Sequence, residues 1–104
     1  MVDWDRIAEL QTEVGEDGIG EIVSIFLEEV EEGVDELAGL SDREAIGDKL
    51  HFLKGSAQNI GLSEFSALCL EGEAAAKQGA VKPDIETIRA ALTRARDELA
   101  SLTR

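Results

Sequence analysis

The sequence predicts an all-α protein, an antiparallel up-and-down four-helix bundle with a short capping helix at its N-terminus. The composition favours helix over strand, since the chain has no Tyr, three Phe and one Pro and is rich in Ala, Leu, Glu and Ile. Apolar residues recur every three or four positions, and turn residues separate these periodic stretches. Four long amphipathic stretches with short connections favour a bundle. Because 104 residues with 43% hydrophobic content can fill one core, we expect a single domain over residues 1–104.

The first two predicted helices lie in the N-terminal part of the chain. A short helix over about Asp3 to Val14 ends at Gly15, and its Trp4 is expected to plug the cap against the bundle. A long helix over about Gly18 to Leu40 follows, with Asp17 as its N-cap. The apolar stripe of this long helix consists of Ile19, Ile22, Val23, Phe26, Val30, Val34 and Leu37.

The third predicted helix begins at a capping box formed by Ser41 and Glu44. It ends near Ile60, before Gly61. Its apolar stripe consists of Ile46, Leu50, Leu53, Ala57 and Ile60.

The fourth predicted helix begins after Ser63 and ends near Gly79. Its stripe contains small residues that permit close helix approach, and consists of Phe65, Leu68, Cys69, Gly72 and Ala76. Pro83, which is favoured in a first helical turn, introduces the fifth helix. The stripe of the fifth helix consists of Ile85, Ile88, Leu92, Ala95, Leu99 and Leu102.

Charge and cysteine content exclude several classes of function. The net charge of −13 argues against binding to nucleic acid or anionic membranes, which requires cationic patches. The charge is uneven, since residues 1–42 contain 14 acidic residues and one basic residue, whereas residues 43–104 contain nine of each. No apolar run approaches the roughly 20 residues that cross a bilayer. With one cysteine and no signal sequence, we expect a reduced, cytoplasmic protein without a disulfide.

Two common kinds of catalytic site are not predicted either. One His and one Cys do not complete a metal-ligand set. The sequence has no glycine loop of the Walker or protein-kinase type, so ATP is not expected to be the direct phosphate donor. Cys69 lies on an apolar stripe and is interpreted as a core residue.

The one histidine, His51, is the strongest functional candidate. At roughly 100° per residue it points about 140° away from the centre of its helix's apolar stripe, so it should be exposed. Gly47, Lys54, Gly55 and Gln58 lie within two turns on the same side. A glycine inside a helix costs roughly 0.8 to 1 kcal/mol relative to Ala, so two glycines beside the histidine indicate clearance for a docking protein. Lys54 would be a mobile cation that offsets the charge of an anion on the imidazole.

The segment from His51 to Gly61, HFLKGSAQNIG, resembles the signature of histidine phosphotransfer domains: His, two residues, Lys-Gly, five residues, Gly. The same signature is found in the phosphoacceptor domains of chemotaxis-type and hybrid sensor kinases, and the resemblance extends over all five predicted helices. It implies that His51 is the phosphoacceptor, Lys54 its charge partner and Gly55 the docking clearance. It also implies that the carboxylate 22 residues later, Glu73, accepts a hydrogen bond from the imidazole. Such a bond to Nδ1–H would leave Nε2 as the nucleophile.

The resemblance implies a stand-alone phosphorelay intermediate. His51 would take a phosphoryl group from the aspartate of a response-regulator receiver domain and pass it to another receiver. We expect a carrier, and no enzyme, without a cofactor of its own; Mg²⁺ is expected from the receiver, and a hybrid histidine kinase is a further candidate partner.

The docking surface is expected to combine basic and apolar residues, because an aspartyl phosphate site is itself acidic. Lys49, Lys54 and Lys77 are the expected basic contacts. Phe52 and Leu70 are the expected apolar contacts, since both fall outside their helices' stripes. Phe52 is bulkier than the residue that often follows the histidine in the family.

Two alternatives remain open. A non-catalytic adaptor would bind a receiver or kinase with the same face, although it would not need the intact nucleophile. A phosphoacceptor domain of a larger histidine kinase would take its phosphoryl group from the kinase's ATP site, and Met1 and Arg104 as chain ends favour an independent protein. We expect a monomer, although Ile25 and Leu27 add apolar surface beyond the second helix's stripe.

Overall fold

A computed structural model describes residues 2–79 and 83–103. It contains the helices α1 (Trp4–Val14), α2 (Glu16–Gly39), α3 (Arg43–Asn59), α4 (Ser63–Lys77) and α5 (Ile85–Glu98). The described ranges contain no β-strand, and Val2 and Leu62 form an isolated antiparallel bridge. None of these helices combines the length and the apolar character needed to span a bilayer. The predicted all-α class is confirmed, while Met1 and Arg104 lie outside the described residues.

The N-termini of α1, α3 and α5 are capped by aspartate side chains. At α3, Oδ2 of Asp42 accepts a hydrogen bond from the backbone N–H of Ala45 at 2.9 Å. The prediction that Ser41 caps this helix is therefore wrong, because the neighbouring carboxylate occupies the cap position. At α5 the cap is Asp84, so Pro83 lies before the cap and outside the first turn.

The connection between α1 and α2 is a single residue, Gly15. Its φ of 83° lies in the left-handed region that favours glycine, and α2 begins directly after it. The prediction of Asp17 as the N-cap of α2 is wrong for this reason. Asp17 instead lies in the first turn, where a negative charge interacts favourably with the helix dipole.

Helices α2 to α5 contact one another in a ring. α3 contacts α2 and α4, α5 contacts α4 and α2, and α1 packs against α2. In three of these pairs, α2–α3, α2–α5 and α3–α4, the residue numbers fall along one helix as they rise along the other. Between α2 and α3, for example, Glu36 bonds to Lys49 whereas Glu29 bonds to Ser56. The same order holds for the pairs Asp35–Arg89 and Glu31–Arg96, and for His51–Glu73 and Lys54–Ser66.

The core is one cluster of buried apolar side chains to which all five helices contribute. Its largest fully buried members include Phe65, Leu37, Leu50, Leu53, Ile60, Leu62 and Leu99. Leu27 is buried as well, because α2 contacts three helices and needs a wider apolar face than the predicted stripe. Ile25 is exposed. The prediction that Trp4 plugs the cap is wrong, since its side chain is half exposed and α1 buries Ile7 and Leu10 instead.

The segment at the start of α1 is attached to the turn between α3 and α4. The backbone N–H of Asp3 donates to the carbonyl of Gly61 at 2.7 Å, and Nε of Arg6 donates to the carbonyl of Asn59 at 3.0 Å. Gly61 has a φ of 70°, and a Cβ there would come within 2.6 Å of the Asp3 carbonyl oxygen. The glycine that ends α3 therefore also permits the close approach of the N-terminal segment.

Candidate functional site

His51 lies in the middle of α3 and points outward, as the helical geometry predicts. Its side chain is 68% exposed. Nδ1 of the ring is 3.0 Å from Oε2 of Glu73 on α4, whose side chain is only 10% exposed. The ring is thus fixed on one side by a buried carboxylate, while Nε2 faces away from that contact.

The carboxylate of Glu73 contacts three side chains that can carry positive charge. Besides His51, it accepts a hydrogen bond from Nζ of Lys54 at 3.2 Å on Oε1, and Nζ of Lys77 lies 3.7 Å from Oε2. Burial raises the pKa of the Glu73 carboxyl, but the hydrogen bonds and charges of Lys54 and His51 outweigh it, so the pKa lies below its ordinary value. The carboxylate is therefore ionised near neutral pH.

The two lysines beside Glu73 differ in how much of the side chain is exposed and in how closely the ammonium contacts the carboxylate. Lys54 is expected from the sequence to be mobile, but its side chain is 20% exposed and its ammonium is bonded to Glu73. Lys77 is 75% exposed, and its contact with Glu73 is the longer of the two. Lys54 therefore holds the carboxylate, whereas Lys77 is the cation with room to move.

α3 and α4 approach closely enough for these contacts because small residues line the seam. A Cβ at Gly72 would come within 3.0 Å of Cδ1 of Leu50, which allows little more than a hydrogen atom there. One turn along, Gly47 faces the methyl group of Ala76. The small residues predicted on the fourth helix thus bring the backbone that carries Glu73 close to the backbone that carries His51.

A groove of about 450 Å³ runs beside the imidazole between α3 and the end of α4. Its lining consists of Arg43, Glu44, Gly47, Asp48, His51, Glu73, Ala76 and Lys77. The absent side chain of Gly47 leaves the groove open next to the ring. Sequence reasoning missed Arg43, which lies eight residues before His51 and therefore just over two turns away, about 80° around the helix from the ring.

The other predicted contact residues lie on different sides of His51. Gln58 and Leu70 are exposed and line a second groove with Lys54, next to the start of α1. Gly55 is exposed, and a Cβ there would have no neighbour within 4 Å. Phe52 is exposed on the side that faces α2, where Nζ of Lys49 is 5.7 Å from the centre of its ring.

A family model described as the Hpt domain matches residues 21–102 of the chain. The chain belongs to the Hpt domain family. Hpt domains are phosphocarriers of two-component phosphorelays that interact with response-regulator receivers and do not act as ATP-binding catalysts. No curated protein and no solved structure matches the chain. The family match covers α2 from residue 21 onward and the whole of α3, α4 and α5, and leaves α1 outside.

The remaining reactive side chain of this Hpt domain is Cys69, which lies in the core as predicted. Burial, together with the nearby Glu73 carboxylate, raises the pKa of its thiol to about 12. The thiol is therefore protonated and inaccessible in the folded Hpt domain. Within residues 2–79 and 83–103, His, Cys, Asp and Glu side chains form no group of three or more that could hold a metal ion.

Proposed function

We propose that this Hpt domain is a phosphorelay intermediate in which His51 accepts a phosphoryl group from the aspartyl phosphate of one receiver domain and passes it to the aspartate of another. The observation that carries the proposal is the setting of the chain's one histidine. Its ring is exposed to a partner, and Nδ1 is held by a buried carboxylate. Phosphotransfer in this family uses a histidine, and the chain offers one.

The position of Glu73 determines which nitrogen reacts. With the ring proton on Nδ1 and bonded to Glu73, Nε2 of the neutral imidazole carries the lone pair. Nε2 attacks the phosphorus in line, so that an N–P bond forms while the bond between phosphorus and the aspartyl oxygen breaks. The electron pair of that bond leaves with the receiver's carboxylate, and no proton has to move. Transfer to the second receiver is the reverse reaction on a different aspartate.

The groups around the ring stabilise the charge that this reaction creates. The imidazole becomes cationic when it carries the phosphoryl group, and the Glu73 carboxylate beside Nδ1 stabilises that positive charge. Lys54 keeps Glu73 ionised and in place, which makes it a positioning residue. Lys77 offsets the negative charge that arrives with the phosphoryl group. Mg²⁺, which neutralises the phosphoryl oxygens, is expected to come with the receiver.

The receiver docks on the surface around His51. Gly47 and Gly55 provide the clearance that lets its backbone approach the helix. Phe52, Gln58 and Leu70 are exposed around the ring and provide contacts on its flanks. Because net attraction to an acidic receiver site is not expected from a chain with a charge of −13, the apolar contacts of Phe52 and Leu70 supply much of the binding.

The scaffold in this proposal is an antiparallel up-and-down bundle of α2 to α5, capped by α1. Two observations support this proposal: consecutive helices contact each other while α5 also contacts α2, and the bonded residues run in opposite order between α2 and α3, α2 and α5, and α3 and α4. We propose that it acts as a single domain and a monomer in the cytoplasm. It positions the histidine and leaves the remaining catalytic groups to its partners.

Substitution of His51 by Gln tests the proposal. Incubation of the wild-type chain with a phosphorylated receiver should label it with phosphate, and His51→Gln should abolish that label. Helical content should stay unchanged because the His51 side chain is 68% exposed and is not part of the apolar core. Equal labelling of the two proteins would refute the assignment of His51.

Two other results would each indicate a function different from the proposed one. Labelling only by a kinase with ATP, and by no phosphorylated receiver, would indicate the phosphoacceptor domain of a kinase. Binding to a receiver without any labelling of the wild type would indicate an adaptor. A panel of the receiver domains from the same source identifies the donor and the acceptor.

A further inference from the structure

Almost all of the basic residues that the structure describes form ion pairs. Eight Lys and Arg residues lie within the described ranges, and seven of them form an ion pair with an acidic side chain. Among these eight, Arg43 is the exception. An unpaired arginine stands out in a protein that has 23 acidic residues.

The sequence around Arg43 explains why it has no partner on its own helix. Side chains three or four positions apart meet on a helix, and adjacent ones do not. The residues at those distances are uncharged, namely Gly39 and Leu40 before Arg43 and Ile46 and Gly47 after it. Glu44 is adjacent to Arg43, and adjacent side chains on a helix do not face each other, so the two form no ion pair although both line the groove.

The position of Arg43 connects it with His51. Both residues line the same groove, and Gly47, which lies between them along α3, has no side chain to separate them. Their Cα atoms are about 12 Å apart along the helix, at roughly 1.5 Å per residue. Arg43 is exposed, and Nη1 lies 3.1 Å from the position that a Cβ at Gly79 would take. A partner seated over the imidazole would therefore cover the guanidinium as well.

We propose that Arg43 forms an ion pair with an acidic side chain at the rim of the receiver's aspartyl phosphate site. The proposal rests on the proposed function, since it takes a docked receiver as the partner. Receiver sites are acidic, and this chain has a net charge of −13, so a cation in the groove lowers the repulsion at the place of contact. Arginine suits the role because its planar guanidinium can bind a carboxylate through two hydrogen bonds.

The acidic residues in the groove make this contact specific. Glu44 and Asp48 line the same groove, so a partner's carboxylate is attracted only near Arg43 and Lys77 and is repelled elsewhere. A receiver with an acidic residue at another place on its rim would meet like charge. Arg43 is thus a residue that selects among receivers, in addition to strengthening the encounter.

Arg43→Gln tests the proposal, with Arg89→Gln as the matched control. Each substitution removes one positive charge from the whole protein, but Arg89 lies on α5 and pairs with the exposed Asp35. With the receiver that labels the wild type, Arg43→Gln should lower kcat/KM roughly three- to tenfold at low salt through a higher KM, because rim charges act on association. Arg89→Gln should stay within twofold of the wild type. Added salt should narrow the difference, and Arg43→Lys should restore part of the loss.

The same measurements separate docking from a structural role. If Arg43 only stabilised the end of α4, Arg43→Gln would lower the thermal midpoint and leave the KM of the folded protein unchanged, and this result would overturn the proposal. Equal KM values for the Arg43 and Arg89 variants would overturn it too, while labelling of the wild type would still support the proposed function. If no receiver labels the wild type, the proposed function fails and the docking role fails with it.

Discussion

Removal of the Glu73 carboxylate gives the sharpest test of how the bundle activates its histidine. Glu73→Ala deletes the acceptor for His51 Nδ1 and for Lys54 Nζ. A hydrogen bond to a charged group contributes roughly 1.5 to 3 kcal/mol, and we expect the bond from Nδ1 to the ionised carboxylate to strengthen by an amount of this order when the ring becomes cationic during transfer. At about 1.36 kcal/mol for each factor of ten, the variant should transfer roughly ten- to a hundredfold more slowly.

Glu73→Gln is the matched variant for this test. The amide oxygen can still accept a hydrogen bond from Nδ1–H, but it carries no charge to stabilise the cationic ring. We therefore expect its rate to lie between those of the wild type and Glu73→Ala. The rate of phosphate transfer from a phosphorylated receiver is the primary measurement.

Nitrogen NMR of the imidazole supplies a second and independent measurement. Because the chain has one histidine, the ring signals belong to His51 without further assignment. The wild type and Glu73→Gln should keep the proton on Nδ1, whereas Glu73→Ala should distribute it between both nitrogens. An alanine variant with wild-type transfer rate and unchanged proton position would refute the role that we give to Glu73.

Three other properties can be predicted from the same contacts. Gly55→Ala should raise the free energy of unfolding by up to about 1 kcal/mol, since alanine favours helix and its Cβ would have no neighbour within 4 Å. The same substitution should slow phosphoryl transfer because it removes the clearance for the receiver. Urea titrations and transfer rates measure the two effects, and an unchanged transfer rate would argue against docking over this residue. Glu73 has a lowered pKa in the folded protein, so it stabilises the fold above its ordinary value of 4.5, and this stabilisation is lost as the pH falls through the folded pKa; the stability of Glu73→Gln should depend less on pH in that acidic range. Cys69, with a thiol pKa of about 12, should react with a thiol reagent at pH 8 only as fast as the protein opens, and rapid labelling of the native protein would contradict its burial.

The parts of the fold that depend on local pattern could be predicted from the sequence. The apolar stripes predicted the five helices. The angle between His51 and the apolar stripe of its helix predicted that the ring is exposed, as it is in the structure. The place of Glu73 came from the family resemblance, and the helical period alone located it only on the flank of its stripe. The contact with Nδ1 depends on how closely α3 and α4 pack, which a single helix does not reveal.

Features that depend on neighbouring chain segments could not be predicted. Ser41 and Asp42 are both good cap residues, and the choice between them depends on the turn that precedes α3. Leu27 lies outside the simple stripe, but a helix with three neighbours buries it. The sequence of α3 alone predicts that Lys54 is a mobile cation, but its ammonium is held by the carboxylate of Glu73 on α4. The unpaired state of Arg43 likewise becomes visible only when every other ion pair is known.

The N-terminal segment is attached to the turn that follows α3, the helix that carries His51. α1 lies outside the range that the family model matches. Even so, Arg6 donates a hydrogen bond to the backbone carbonyl of Asn59, the last residue of α3, and the backbone N–H of Asp3 donates to the carbonyl of Gly61. Carbonyls at a helix C-terminus have no partner inside the helix, so detachment of α1 would leave these to water and promote fraying of that last turn. Amide hydrogen exchange at the end of α3 should therefore follow the stability of α1. Substitutions in α1 can tune the rigidity of the phosphoacceptor helix while leaving every residue of the docking surface unaltered.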